Sequence, residues 1–471
     1  KAYREHRQIY PRPGWVEHDA EEIWQAALQV VQDVSQDAGI ALSSVAAVGI
    51  TNQRETIVFW DRESGRPLAN AIVWQCRRTA PICRELKEAG YEATFKEKTG
   101  LLLDPYFSGT KIHWALDNLP PVREAARTGR LACGTIDSYL LFRLTGGKVH
   151  ATDYSNASRT LLFNIHTLQW DAELLQILQV PQDILPQVCP SSGIFGETDP
   201  AVFHGARLPV GGIAGDQQAS LFGQACFRPG MTKNTYGTGS FLLMNTGKKA
   251  VLSQKGLLTT VAWGVNGTVD YALEGSIFIT GAAIQWLRDG LGLIGKAAET
   301  EALARQVEDN GGVYLVPAFA GLGAPYWDPY ARGLVIGITG GTTRAHFARA
   351  VVEAMAYQTR EVLELMRREA GLPVEELRVD GGAGVMDLLL QFQADITGTR
   401  VRRSASLETT ALGAAYLAGL AAGVWSSRDE LLARWRESAS FSPQMDEKRR
   451  EALYYGWQRA VERCRGWAEE N

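Results

Sequence analysis

The chain has 471 residues, length for about two or three hydrophobic cores. Hydrophobic residues make up 45% and charged residues 21%, and 48 Lys plus Arg against 52 Asp plus Glu leave a net charge of −4. That balance excludes a global field for nucleic acid or an anionic membrane, and no run approaches the ~20 apolar residues of a membrane helix.

The six cysteines are scattered without CxxC spacing, so a zinc or redox site is not expected. They read as free thiols of a reducing cytoplasm. Residues 1–13 are charged and polar, unlike a signal peptide. Residue 1 is Lys1 and the first methionine is Met231. The natural N-terminus is therefore expected upstream.

Asp19-Ala20-Glu21-Glu22 reads as a capping box opening a helix, with Ile23, Ala27, Val30 and Val34 as its apolar stripe. Residues 45–51 and 55–60 read as strands, with a turn at Arg62–Gly65. Asn52-Gln53-Arg54-Glu55 closes the first strand with four polar side chains, suited to a polyol because Arg donates and Glu accepts; a solvated loop is the alternative. Helices and short strands alternate to about residue 190, as in an α/β domain.

Gly215-Asp216-Gln217-Gln218 follows the apolar run 208–214. A carboxylate at a strand end can deprotonate a hydroxyl, or it can simply cap a turn. A second α/β stretch begins near Ala225, which divides the chain into 1–224 and 225–471. Residues 233–245 read as two strands around Gly237-Thr238-Gly239, whose backbone could approach an anion or merely form a hairpin. Gly290–Gly295 matches GxGxxG and most of a P-loop, but a helical pattern precedes it and Ala297 stands where a P-loop has a hydroxyl. It reads as a helix end. Residues 345–370 read as a long helix with Phe347, Val351, Ala354 and Leu363 on its apolar face. A strand at 376–380 leads into Asp380-Gly381-Gly382, either a phosphate-holding βα turn or a plain one. Residues 428–471 read as terminal helix.

Several blocks in this order resemble the FGGY carbohydrate kinase family: YPRPGWVEHD (10–19), GITNQRET (49–56), AIVWQCRRTA (71–80), DPYFSGTK (104–111), GDQQ (215–218), KNTYGTGS (233–240) and PAFAGLGAPYWDPYAR (317–332). The resemblance runs from about Ile9 to Trp467. It implies an α/β fold of two actin-like, ribonuclease-H-like ATPase domains flanking a cleft. The first domain would be polyol-binding and the second nucleotide-binding. It implies ATP-dependent phosphorylation of glycerol to glycerol 3-phosphate in the cytoplasm, with ATP/ADP and glycerol as partners and Mg²⁺ as cofactor. Arg54, Glu55, Tyr106, Asp216 and Gln217 would hold glycerol, Trp74 and Phe241 would pack on its carbons, and Asp216 would be the general base. Thr238, Gly281, Gln285 and Gly382 match nucleotide-site positions.

Two departures are expected to matter. The family's opening strand and DxGTTSSR-like phosphate loop have no counterpart here, so this chain is expected to be poorly active. Met386 stands near the adenine position, where the family has Asn. The alternatives are another sugar kinase of the same family, acting on a pentulose, and a polyol-binding protein without phosphotransfer. No protein metal ligand is singled out, and self-association is left open.

Overall fold

A computed structural model describes residues 1–468 of the chain; the last three residues of the expected terminal helix lie outside the described residues. Two larger sheets build the first half, beside two of two strands each. Strands Glu17–His18, Ala71–Ile72, Ile57–Asp61 and Leu131–Thr135 form one, in that order. Ser192–Glu197, Pro209–Gly215 and Val48–Asn52 form the other. Pro209–Gly215 runs parallel to Val48–Asn52, with Gly215 opposite Asn52. Arg54 and Asp216 therefore leave the C-terminal ends of two neighbouring parallel strands, where α/β sheets habitually place ligands.

The second half is built on a seven-stranded sheet, ordered Leu258–Val265, Thr268–Ile277, Ser240–Gly247, Thr232–Tyr236, Glu376–Gly381, Arg400–Ser404 and Glu437–Phe441. The three strands in the middle to late positions, 232–236, 376–381 and 400–404, are mutually parallel; the others join antiparallel. Helix Arg344–Ala370 is buried on nearly all sides between residues 348 and 366.

The two halves are not simply strung together. Helix Thr409–Ala421 lies against the strands Val48–Asn52 and Pro209–Gly215 and the helix Asp216–Gly223. Glycines make that approach fit: a Cβ at Gly49 would come within 2.3 Å of the Ala414 carbonyl oxygen, and one at Gly413 within 1.8 Å of that of Ala219. Any side chain there would force the helix off the sheet.

Several local expectations shift. Asp19 caps helix Ala20–Ala38 by accepting from the backbone of Glu21 and Glu22, but Glu22 does not close the box; its carboxylate takes the backbone N–H and guanidinium of Arg7. The buried face of that helix carries Ala20 and Trp24, flanked by Ile23, Leu28 and Val31, so the expected stripe is one residue out of phase and Val34 is exposed. The big indole decides the rotation, because it has the most apolar area to bury. The first strand starts only at Val48, after a 3-10 turn over Leu42–Ser44. The terminal segment contains the sheet's edge strand Glu437–Phe441 as well as helices. A helical stretch, Gly281–Gln285 running into a π-turn over Trp286–Gly290, precedes the GxGxxG match. The dinucleotide and P-loop readings fail there for want of a strand.

Candidate functional site

Glu55 has φ +61°, a conformation that costs a non-glycine residue free energy. Its carbonyl is clamped by Ser108 Oγ (3.1 Å) and Lys111 Nζ (3.2 Å), and Lys111 also donates to the Tyr106 carbonyl at 2.7 Å. Lys111 is fully buried, which pushes its ammonium down to about 7. The clamp turns the Glu55 side chain towards Arg159, whose Nε donates to Oε1 at 2.6 Å.

Arg159 and Arg54 share a second carboxylate. Arg54 grips Glu274 with both terminal nitrogens (2.5 and 2.9 Å), and Arg159 Nη2 reaches the same group at 3.0 Å. Glu274 stands on Thr268–Ile277, in the sheet of the second half, so the network of two arginines and two glutamates ties the halves together. Burial opposes ionisation of Glu274, but Arg159 and Arg54 outweigh it and hold the carboxyl down at about 2. Burial raises Glu55 above the ordinary carboxylate range despite its arginine neighbours. These charges are sealed: the Arg54 and Glu55 side chains are each 1% exposed.

Asp216 differs. It opens helix Asp216–Gly223, where a negative charge suits the helix dipole, and its side chain is 36% exposed. Arg54 Nε lies 3.3 Å from its Oδ1 but is not aligned to donate, and that buried nitrogen has no hydrogen-bond partner among the described residues. Gly215 makes the approach possible, since a Cβ there would sit 2.6 Å from Arg54 Cγ. The Gln217 backbone N–H donates to Asp216 Oδ1 (2.9 Å) and its Nε2 to Oδ2 (3.2 Å). Three half-buried aromatics close the group. Trp74 and Tyr106 meet edge to face with centroids 5.5 Å apart, and the Arg54 guanidinium lies 6.0 Å from the Phe241 ring. All seven residues expected to hold a polyol are thus linked through Arg54, Lys111 and Arg159.

The expected nucleotide residues form a second group. Thr238 tips the turn between Thr232–Tyr236 and Ser240–Gly247, and its carbonyl accepts from the backbones of Thr280 and Ala282. Gly281 donates to the Gly237 carbonyl, and a Cβ on Gly281 would come within 2.5 Å of that oxygen. Gly381 pairs with Tyr236 at φ +86°, and Gly382 follows it at the surface with nothing within 4 Å of a Cβ placed there. Gln285 is exposed, one turn beyond Gly281. Met386 is 7% exposed and belongs to the apolar cluster containing Tyr236, Leu389 and Leu390. The residue that departs from the family pattern is thus core.

Motif reading singled out neither Arg159 nor Glu274. The available signal for Glu274 was a lone acid in the otherwise apolar second half of the run TVDYALEGSI, and for Arg159 a lone cation among small and apolar residues. Ser108, Lys111, Gln218 and Lys233 lie inside family-like blocks without a role attached. Among the described residues no three His, Cys, Asp or Glu groups stand close enough to hold a metal, and no helix is long and apolar enough to cross a membrane.

The model of the N-terminal domain of the FGGY family of carbohydrate kinases matches residues 1–223, and that of the C-terminal domain matches residues 232–422. The chain belongs to the FGGY family of carbohydrate kinases. It is 62% identical over 467 residues to glycerol kinase 2 of Thermotoga maritima, covering 99% of this chain and 94% of that one. It is likewise 62% identical over 466 residues to a glycerol kinase of Symbiobacterium thermophilum, covering 99% and 93%. A crystal structure of Plasmodium falciparum glycerol kinase with ADP superposes with a TM-score of 0.90 at 37% identity, covering 98% of this chain and 92% of the other. Xylulose kinase from Lactobacillus acidophilus shares the fold, with a TM-score of 0.85 at 21% identity and coverages of 98% and 91%. The fold is α/β, with two actin-like, ribonuclease-H-like ATPase domains.

Proposed function

We propose that this protein is an ATP-dependent glycerol kinase, transferring the γ-phosphoryl group of ATP to a terminal hydroxyl of glycerol. One observation carries the assignment to this site: Arg54 Nε is a buried donor without a hydrogen-bond partner among the described residues, 3.3 Å from the partly open carboxylate of Asp216. A hydroxyl group satisfies both, accepting from Arg54 and donating to Asp216. Trp74, Tyr106 and Phe241 supply apolar faces for a short carbon chain beside that pair. The pentulose alternative needs room for two more carbons and their hydroxyls, and the sealed Arg54–Glu55–Arg159–Glu274 network leaves little freedom to make it.

In this reading Asp216 accepts the hydroxyl proton as the oxygen attacks phosphorus, and Arg54 orients that hydroxyl. Thr238, Gly281, Gln285 and Gly382 line the nucleotide side, where turn backbone and a hydroxyl suit phosphate oxygens. Mg²⁺ bound to the ATP phosphates would neutralise charge that develops during transfer, keeping most of its ligands as water and phosphate. We divide the chain into a polyol domain, 1–224, and a nucleotide domain, 225–471, and place the enzyme in the cytoplasm, where ATP is available. The test is ATP-dependent formation of glycerol 3-phosphate by the full-length gene product. A higher kcat/KM for xylulose than for glycerol would overturn the substrate assignment.

A further inference from the structure

Lys233 has no part in the scheme above, yet its surroundings are unusual. It stands on strand Thr232–Tyr236, five residues before Thr238, and is fully buried. A sealed ammonium is costly unless its protons are bonded. Here Nζ donates to Gln217 Oε1 at 2.6 Å and to Thr235 Oγ1 at 2.9 Å. Asp380, Asp216 and Glu274 face it with negative charge and Arg54 with positive charge, while burial pushes the ammonium down to about 8.

The bond to Gln217 has a directional consequence. An ammonium only donates, so the Gln217 atom that it touches must be the carbonyl oxygen. With Oε1 turned to Lys233, Nε2 points at Asp216 Oδ2, 3.2 Å away. A flipped amide would set its carbonyl oxygen against that carboxylate and leave the ammonium facing an NH₂ group. Both contacts would then be repulsive, so the lysine selects one of two nearly isosteric orientations. Its other bond continues to the nucleotide side: Thr235 and Ser220 exchange a hydrogen bond at 3.0 Å, and Ser220 Oγ donates to Asp380 Oδ2 at 3.3 Å, next to Gly381 and Gly382.

We propose that Lys233 is a positioning residue for the phosphoryl-transfer reaction, locking the Gln217 amide so that its NH₂ end grips the Asp216 carboxylate. The proposal rests on the reading of Asp216 and Gln217 as polyol-site residues. Lys233 touches neither substrate nor the reacting atoms; it acts through Gln217. The side chain of Gln217 thereby becomes a donor to the base, and Asp216 is held with one orientation towards the hydroxyl.

The test is a double-mutant cycle on the full-length enzyme with K233M, Q217L and the double variant, in each case measuring kcat, KM and the melting temperature. K233M should lower kcat/KM by roughly 10- to 100-fold, the worth of a hydrogen bond to a charged group. Its melting temperature should fall, because Gln217 and Thr235 lose a buried donor, so the kinetics are read well below that temperature, where the variant is folded. The double variant should be no worse than Q217L alone to within about twofold, since a lysine acting through Gln217 has nothing left to act on. K233Q, which retains an amide donor, should recover part of the loss and serves the same cycle should K233M fail to fold. Losses that multiply in the double variant, or a K233M enzyme within about threefold of wild type, would overturn the proposal. The cycle is run on whichever polyol or sugar the wild-type enzyme phosphorylates. The wild type thus decides the glycerol reading, and the cycle decides the role of Lys233.

Discussion

Glu55 and Thr238, which we propose for the polyol and the nucleotide side, are held in opposite ways. Around Glu55 nearly every contact runs through a side chain. Two arginines and two glutamates bond one another beside buried Lys111, nearly sealed from solvent, and even the carbonyl of Glu55 is fixed by Ser108 and Lys111. Around Thr238 the contacts run through backbone, with glycines at 239, 281 and 381 letting turns approach to within a Cβ's width. The contrast suits the proposed ligands. A small polyol is distinguished by where its hydroxyls point, which takes side-chain donors and acceptors that cannot move. Phosphates present similar oxygens in all directions, and backbone N–H groups in a turn suffice for them.

The comparison is sharpest at Asp216, whose carboxylate is open where those of Glu55 and Glu274 are sealed. Asp216→Asn should lower kcat by roughly 10²–10⁴ and leave the KM for glycerol nearly unchanged, because the amide keeps the hydrogen bonds while losing the basicity. Steady-state kinetics at saturating ATP check this, and a near-normal kcat would remove Asp216 as the base.

Breaking the sealed network should cost stability more than specificity. Glu274→Ala leaves Arg159 with Glu55, and Arg54 with the partly open Asp216 and the more distant Glu55, as carboxylate partners, and a loss of ~3–5 kcal/mol is expected in urea unfolding. The pH dependence has a definite sign. The folded Glu274 carboxyl sits at about 2 against an ordinary 4.5, so its contribution is fully present above about 4.5 and lost as the pH falls towards 2. The conservative Glu274→Gln variant should lack that part of the acid limb; an unchanged limb would mean that the pair is not what acid breaks.

Substrate discrimination should follow from the same rigidity. 1,2-Propanediol lacks one terminal hydroxyl and leaves a protein partner unpaired, at a cost of ~1–3 kcal/mol, or roughly 5- to 150-fold in kcat/KM. Equal rates for the two polyols would show that the pocket does not read that hydroxyl.

On the nucleotide side single side chains should matter less. Thr238→Ala should raise the KM for ATP by roughly 2- to 12-fold, the worth of one ordinary hydrogen bond, without moving that for glycerol. If it moved both equally, the separation of the two sides would fail. Met386→Asn is expected to have the smallest effect on catalysis. Because the thioether is buried beside Tyr236 and Leu389, the change should appear as about 1–3 kcal/mol of stability, the cost of an unsatisfied buried amide, with the ATP-to-GTP ratio unaltered. A sharpened preference for ATP would place that side chain at the base after all.

Local chemistry is legible in this chain wherever neighbours in sequence are also neighbours in space. The Asp19 cap, the hairpin around Gly237–Gly239, helix Arg344–Ala370 and the strand end at Gly215-Asp216 all depend on residues a few positions apart, and all are readable. Six of the seven polyol residues lie in family-like blocks, and Phe241 directly follows one. Reading the blocks one at a time could not show that Arg54 and Asp216 meet: that takes the parallel pairing of Gly215 with Asn52, strands separated by more than 150 residues. Nor could it show what neutralises Arg54. Glu274 lies 220 positions away, on a sheet of the other half, and nothing in an apolar strand says which charge its single carboxylate will face. The rotation of helix Ala20–Ala38 and the burial of Met386 were likewise set by what packs on them. Sequence by itself determined the elements and the chemical groups available, because those depend on local dihedral preference and side-chain type. Tertiary structure decided which charges are paired and which remain open to a ligand, because burial and partnership are properties of contacts that only the folded chain makes.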